Sequence, residues 1–242
     1  MTAGGERYSA MCWNAPLSEA HAEWLIEQLE VGSVNSVLDL GCGWGELLLR
    51  VVEAARDGCA GVGVDTDAAL LARARRSSRG RGMERQVSFV GAPAEEWGRP
   101  AERVLCVGAS HAWGGTAPAL VALTRLVAPG GGRMLFGDGC WENEPTPEAA
   151  AIFGADVMPL DQVVDRALKA GWRVLSLTTA DQREWDEFES SWRRGGEDWL
   201  LNHPQAPDAG AVRQELDRRL AEYVTSYRGV LGFCYLVLGR GG

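Results

Sequence analysis

The apolar residues of the chain fall into two alternating patterns. Short runs rich in β-branched residues, each bounded by turn residues, predict buried strands. Between these runs, apolar residues recur at helical spacing. Strands that alternate with helices in this way predict an α/β fold built on a mostly parallel sheet. The predicted strands are, in chain order, Val37–Leu40, Cys59–Asp65, Gln86–Val90, Arg103–Gly108, Arg133–Asp138, Trp172–Thr178 and Gly229–Gly239.

Helical segments fall outside this alternation at three places. Residues 1–35 form an N-terminal helical segment in which Ser18 is expected to cap a helix from Glu19 to Glu30. Residues 145–160 and 180–228 interrupt the order of strands and predict cap insertions, the second with two helices. A chain of 242 residues is long enough for one α/β domain with a small cap, so residues 1–242 are expected to form a single domain.

One stretch joins the first predicted strand to a helix through closely spaced glycines. Gly41, Gly43 and Gly45 follow the strand, and a helix is predicted to begin at Glu46. Glycine permits positive φ and lets a backbone approach a ligand closely. A dinucleotide-binding loop has a third glycine where this chain has Glu46, and it places a pyrophosphate at an open helix N-terminus. With Asp39 before the loop and Glu46 after it, the pattern favours a cationic ligand group.

The stretch from Val37 to Gly45 resembles the first motif of the class I S-adenosylmethionine-dependent methyltransferases. The second predicted strand ends in Asp65, the position at which this family binds the ribose of its cofactor. The resemblance covers Ser36 to about Asp138 by motif and the remainder by strand order. It implies a Rossmann-like, seven-stranded, mostly parallel sheet with an antiparallel last strand and a helical cap insertion. It also implies S-adenosylmethionine as the cofactor.

The same resemblance implies which residues hold this cofactor. Asp39 and the glycine loop are expected to hold the methionine moiety, and Asp65 to bind the ribose hydroxyls. The alternative role for Asp65, capping the next helix, is better served by Asp67. Gly91 stands where family members often have an acid beside the adenine, which leaves the backbone of Ala92 for that contact. The complete predicted set is Asp39, Gly41, Gly43, Gly45, Asp65, Thr66, Gly91, Ala92 and Gly108.

Residues after the fourth and fifth strands are candidates for the acceptor side. The Asn/Asp-Pro-Pro-aromatic signature of many nucleic-acid and protein-glutamine methyltransferases is absent, and His111 follows the fourth strand instead. His111 either accepts a proton as a catalytic base or holds its loop by a hydrogen bond. Glu142 either orients the acceptor or is solvated. The predicted acceptor-binding residues are Trp13, Trp113, Trp141, Glu142 and Trp185.

Two of these tryptophans can also be interpreted as packing residues that do not contact a ligand. Trp13 either lines the site or fixes the N-terminal helix to the sheet. Trp185 belongs to a stripe with Phe188, Trp192 and Trp199, spaced near the helical repeat. Such a stripe more often packs a cap onto a core than lines a pocket, and Trp185 is the member expected to reach a ligand.

Composition narrows the classes of partner. A net charge of −9 argues against nucleic acid as the main partner. The six cysteines are scattered without metal-ligand spacing, so we expect reduced structural thiols and no metal site. No apolar run reaches membrane-spanning length, and residues 1–7 lack the apolar core of a signal peptide. These features predict a cytoplasmic protein without a membrane partner.

Together the patterns predict an S-adenosylmethionine-dependent methyltransferase that acts on a small molecule, by O-, N- or S-methylation, in specialised rather than primary metabolism. The alternatives are a nicotinamide-dependent oxidoreductase and a cofactor-binding subunit without activity. Either a monomer or a homodimer is compatible with the sequence.

Overall fold

The computed structural model describes residue 8 and residues 10–154 and 157–240. Within this part of the chain eight strands form one sheet. In chain order they are β1 (Ser36–Leu40), β2 (Ala60–Asp65), β3 (Val87–Gly91), β4 (Arg103–Val107), β5 (Arg133–Trp141), β6 (Met158–Pro159), β7 (Trp172–Thr179) and β8 (Leu231–Arg240).

The strand order confirms the predicted fold class. Seven strands follow the order β3-β2-β1-β4-β5-β8-β7, and β8 runs antiparallel to both of its neighbours. The two-residue β6, absent from the prediction, pairs with the end of β5. The order reverses at β1, whose neighbours are β2 and β4. In open α/β sheets a ligand crevice forms at this reversal, outside the carboxyl ends of the strands.

Helices connect the strands and differ from the sequence expectation mainly at their ends. α1 was expected to reach Glu30 but ends at Gln28. α4 ends at Leu123, and Val127 beyond it forms a bridge with Ala101. The helices are α1 (Glu19–Gln28), α2 (Glu46–Ala54), α3 (Ala68–Gly80), α4 (Thr116–Leu123), α5 (Pro147–Phe153), α6 (Leu160–Lys169), α7 (Gln182–Asn202) and α8 (Ala209–Glu222).

Apolar residues cover both faces of the sheet, as expected for buried parallel strands. Alternate residues of β1 separate accordingly: Val37 packs in one cluster with α1 and α2, and Leu38 packs in the other with α4. Cys106, Cys140 and Cys234 are fully buried among the apolar side chains of the second cluster. These thiols therefore serve as small apolar groups in the core.

The insertion between β7 and β8 forms a small helical cap. α7 and α8 bury their own cluster of Trp199, Leu200, Ala209 and Leu216. A Cβ on Gly196 would lie 3.0 Å from Leu216, so glycine permits the close approach of the two helices. The other predicted insertion, 145–160, contains α5, and residues 155 and 156 within it lie outside the described residues.

A buried carboxylate joins the cap to the N-terminal helix. Glu184 accepts hydrogen bonds from the backbone of Ser18 (2.7 Å) and Asp181 (2.9 Å), and His21 Nδ1 lies 2.9 Å away. The other ring nitrogen of His21 lies 2.6 Å from Thr178 Oγ1. Burial alone raises the pKa of Glu184, but the bonds from His21, Ser18 and Asp181 lower it to about 2. We call this group of Ser18, His21, Asp181 and Glu184 the Glu184 anchor.

No helix in the described ranges is both long enough and apolar enough to cross a bilayer. The first seven residues, for which the sequence predicts no signal peptide, are not among those described.

Candidate functional site

A cavity of about 470 Å³ opens at the carboxyl ends of the central strands. Its wall contains the loops that follow β1, β2 and β4, together with residues from the N-terminal segment. The sequence-predicted residues in the wall are Trp13, Gly41, Gly43, Asp65, Thr66, Ala92, Gly108 and His111. We call this the first cavity.

The glycine loop requires glycine for two different reasons. Gly41 has φ +73°, and a Cβ there would lie 2.4 Å from the Cβ of Ala109. Gly45, the N-cap of α2, has φ +72°, and its Cβ would lie 2.6 Å from the ring of Phe89. Backbone strain and steric overlap therefore both exclude a side chain at these positions. Gly45 supports the loop from behind and is not in the cavity wall.

Several amides of this loop donate hydrogen bonds within the protein. Gly41 and Cys42 donate to the carbonyl of Val64 at 2.8 and 3.0 Å. Gly43 donates to Asp65 Oδ2 at 2.8 Å. A pyrophosphate is bound by free amides at a helix N-terminus. The amides of Gly41, Cys42 and Gly43 are therefore not free to bind a pyrophosphate, and the acidic surroundings of the loop suit a cation.

Asp65 lies at the end of β2, in the wall of the first cavity. Its Oδ1 accepts the amide of Asp67 at 2.8 Å, while Oδ2 holds Gly43. Asp67 itself caps α3 through the amides of Ala69 and Leu70. Each carboxylate oxygen can accept a second hydrogen bond. Asp65 is therefore rigidly oriented by the backbone and still able to accept hydroxyl donors from the cavity.

The two acids that flank the glycine loop have different environments. Glu46 pairs with Arg50 and Arg81 at 2.7 Å each. Burial raises the pKa of Glu46, but hydrogen bonds from Arg81 and Arg50 outweigh it and lower the pKa. The expectation that Glu46 adds free negative charge beside the loop is therefore wrong, because two guanidinium groups already compensate it.

For Asp39, by contrast, no basic group among the described residues lowers the pKa. Asp39 is 5% exposed, and it lies on β1 between Gly63 of β2 and Leu105 of β4. Burial, followed by repulsion from Asp65, raises the pKa of Asp39 to about 8. Asp39 is not itself in the cavity wall, so any effect on a ligand acts through its charge across the thin loop. A cation in the first cavity would lower the pKa of Asp39 and so favour the ionised carboxylate.

The loop after β3 explains why Gly91 does not reach the cavity. Gly91 is the last residue of β3 and pairs with Asp65 across the sheet. Ala92 is in the wall, but its amide donates to the carbonyl of Asp65 at 3.1 Å. Pro93, Ala94 and Glu95 extend the wall beyond it. These three residues were not predicted from the sequence, although Pro93, two residues after β3, was a signal that the chain turns there.

An N-terminal strap, residues 10–17, covers one side of the first cavity. Trp44 Nε1 donates to the carbonyl of Cys12 at 2.8 Å, and Arg73 donates to the carbonyl of Met11 at 2.9 Å. Arg73 also lies 4.3 Å from the Trp44 ring centroid. Trp13 of the strap lies in the cavity wall under the guanidinium of Arg50, at 4.8 Å. Trp13 therefore both lines the cavity and packs against α2.

A second cavity of about 460 Å³ adjoins the first. Asn14 and Ala15 of the strap belong to both walls. Trp185 of the cap lies in the wall of the second cavity, together with aromatic residues from α5, α7 and β8. Both predicted cap insertions contribute residues to this wall, among them Phe153 and Trp185.

Three of the predicted acceptor residues lie outside both cavities. β5 was expected to end at Asp138 but continues to Trp141, which pairs with Leu231 of β8. Trp141 is thereby buried in the core against Phe153. Glu142 is exposed and bonds through its backbone to Val230. Trp113 ends a short 3₁₀ turn after β4, and its side chain is absent from both walls.

His111 lies in the same 3₁₀ turn, with its side chain in the wall of the first cavity. It is exposed, and its ring forms no hydrogen bond to the described residues. The alternative role of His111, in which its ring holds the loop by a hydrogen bond, therefore has no supporting contact. Within the described ranges, no three His, Cys, Asp or Glu side chains are grouped as a metal ion would require.

Known proteins are similar to this chain in sequence and in fold. The family model described as "Methyltransferase domain" matches residues 37–131. The uncharacterized protein YjhP of Escherichia coli (strain K12) is 31% identical over 226 residues, which is 90% of each chain. A methyltransferase from Geobacter sulfurreducens has a TM-score of 0.86 at 27% identity, covering 98% of this chain and 96% of that one. One from Thiobacillus denitrificans has a TM-score of 0.85 at 28% identity, covering 97% and 96%.

Both of these solved structures are SAM-dependent methyltransferases in complex with S-adenosyl-L-homocysteine. The match extends over almost the whole of each chain. The nicotinamide alternative is therefore wrong, and the cofactor is S-adenosylmethionine. The chain belongs to the class I S-adenosylmethionine-dependent methyltransferases.

Proposed function

We propose that this methyltransferase modifies a small molecule held in the second cavity. The observation that carries the proposal is the pair of adjoining cavities that share Asn14 and Ala15. The strap and the cap enclose the acceptor side, and a volume of about 460 Å³ is typical of a small-ligand site. A net charge of −9 gives no support to a nucleic-acid substrate.

The chain's residues contribute alignment and exclusion of water. The cofactor supplies a methyl group on a sulfonium, which an acceptor attacks in line. We assign the loop from Gly41 to Gly45 and the charge of Asp39 to the methionine end, and Asp65 with Thr66 to the ribose. Ala92 and Gly108 complete the wall on either side. The strap excludes water where the two cavities meet, which strengthens electrostatic interactions there.

The proposal is tested with methyl-labelled S-adenosylmethionine and a fractionated cell extract. We expect label in organic molecules below about 1 kDa, consistent with a cavity that holds only small ligands. Label confined to nucleic acid or protein would overturn the small-molecule assignment. Binding of S-adenosylhomocysteine with no transfer to any fraction would instead favour the inactive-subunit alternative.

Replacing Asp65 by alanine should raise the dissociation constant of S-adenosylhomocysteine about tenfold to a hundredfold, because charge-assisted hydrogen bonds to the ribose are lost. Calorimetric titration measures this change. The matched control is Asp67→Ala, which removes the N-cap of α3 and should cost about 1 kcal/mol of stability with little change in affinity. Equal affinity in the Asp65 variant and the native protein would remove Asp65 from the site.

Replacing His111 by alanine should slow methyl transfer about a hundredfold while cofactor affinity changes little, if His111 accepts the acceptor's proton. Single-turnover kinetics separate the two quantities. His203→Ala is the matched control, because that histidine stacks on Trp199 in the cap, away from both cavities. An unchanged rate in the His111 variant would show that His111 lines the cavity without accepting a proton in the reaction.

A further inference from the structure

The wall of the second cavity contains six aromatic residues from the cap insertions and β8. Trp185 packs perpendicular to Phe188 (88°, 5.9 Å between centroids) and close to perpendicular to Tyr227 (71°, 6.4 Å). Phe153 packs perpendicular to Tyr227 as well (85°, 4.9 Å). None of these pairs is stacked in parallel. The aromatic residues of the wall are Phe153, Trp185, Phe188, Trp192, Tyr227 and Phe233.

Charged residues also reach this wall, but the structure compensates them internally. Arg219 binds the 2%-exposed Glu189 through two nitrogens, at 2.8 and 2.9 Å, and Tyr227 donates to the same carboxylate at 3.0 Å. Arg218 donates to both oxygens of Glu222 at 2.7 Å. Glu215 has an interaction partner too. An ionic guest would therefore have to leave water without gaining a free counter-ion, which is costly.

The wall contains one unsatisfied polar group. The indole nitrogen of Trp185 is buried and has no hydrogen-bond partner in the described structure. A buried donor without a partner costs free energy. An acceptor atom of a guest within hydrogen-bond distance would satisfy it. The group therefore favours a guest that carries a hydrogen-bond acceptor.

We propose that the acceptor is a flat, uncharged aromatic molecule that carries a hydrogen-bond acceptor and stacks on the rings of the second cavity. This inference rests on the proposed function, because it names the substrate class of the same site. Asn14 and Ala15, shared by both walls, place one edge of such a guest next to the cofactor cavity. Stacking on an aromatic ring fixes the plane of the guest and leaves its edge to face the methyl group.

Matched bicyclic probes test the class directly. The protein is saturated with S-adenosylhomocysteine and titrated with 2-naphthol, decahydro-2-naphthol, 2-naphthoate and 2-naphthylmethylammonium. We expect 2-naphthol to bind at least about tenfold more tightly than the saturated alcohol and than either ion. Equal binding of the saturated alcohol, or tighter binding of an ion, would overturn the proposal. Absence of binding by all four probes would overturn it too.

Variants locate the binding within the second cavity. Trp185→Ala should weaken 2-naphthol about tenfold, and Trp185→Phe, which keeps a ring but lacks the N–H, only about threefold. The control Trp199→Ala lies in the cap cluster outside the cavity and should lower the melting temperature without changing probe affinity. Unchanged affinity for 2-naphthol in both Trp185 variants would show that the probe does not bind beside Trp185.

Titration with S-adenosylhomocysteine distinguishes a wrong substrate class from a wrong proposed function. If S-adenosylhomocysteine binds but no aromatic probe does, the substrate class is wrong and the methyltransferase site stands. If the cofactor product itself fails to bind, the proposed function fails first.

Discussion

Replacing Gly41 by alanine is expected to weaken S-adenosylhomocysteine binding more than a hundredfold, which corresponds to about 2.7 kcal/mol or more. The new Cβ would lie 2.4 Å from the Cβ of Ala109, and the backbone has φ +73°. Because Ala109 follows β4 closely and lies in the same cavity wall, the loop and the β4 turn must move apart. Either movement removes the surface that the methionine moiety would contact. Calorimetric titration and thermal unfolding give the two readouts.

Gly82→Ala is the matched control for this prediction. Gly82 has a similar positive φ, +70°, but a Cβ there would meet nothing within 4 Å. It should therefore show the backbone strain alone, about 1 kcal/mol of stability, with unchanged cofactor affinity. If the Gly41 variant bound the cofactor product as the native protein does, the close contact with Ala109 would not shape the site.

Replacing Asp39 by asparagine should have opposite effects on stability and on cofactor binding. The pKa of Asp39 is raised to about 8 by burial and by Asp65. The folded protein thus holds this proton more tightly than the unfolded chain does, so Asp39 costs stability as pH rises from about 4 to about 8. The neutral asparagine side chain carries no such cost. We expect the variant to be more stable at pH 8 by on the order of a few kcal/mol, and little changed at pH 4.

The cofactor-binding effect of the Asp39 variant has its own pH signature. A sulfonium and an α-ammonium nearby favour the ionised carboxylate, so binding releases the Asp39 proton below pH 8. Affinity in the native protein should fall as pH decreases from 8 to 6, by up to about tenfold per pH unit. Asp39→Asn should bind more weakly at pH 8 and lose most of this dependence. Parallel pH profiles for the two proteins would show that Asp39 does not sense the cofactor.

The exposed N-cap Asp67 provides the control, since Asp67→Asn keeps a capping oxygen and removes a charge outside the core. Neither the stability profile nor the cofactor profile should change in that variant.

Local sequence patterns were sufficient for most of the fold. The first four strands were predicted within one residue at each end or better. Asp67 was correctly preferred to Asp65 as the cap of α3, because capping depends only on the next three amides. The strand order followed from the family resemblance rather than from any residue pattern.

The errors concern contacts between segments that are far apart in sequence. β5 extends to Trp141 because β8, some ninety residues later, pairs with it along its whole length. Glu46 is neutralised in part by Arg81, which lies in the turn after α3. Helical periodicity alone also cannot tell which tryptophans of α7 pack within the cap and which line the cavity. Trp199 packs within the cap, and Trp185 lines the second cavity.

The Glu184 anchor has a consequence for the catalytic cycle. It fixes the start of α1 and the start of α7 to one carboxylate, and the strap that borders both cavities leads directly into Ser18. Donor exchange and acceptor exchange are therefore expected to share one opening movement. Such a coupling would make product release, rather than the displacement at carbon, the slow step of turnover.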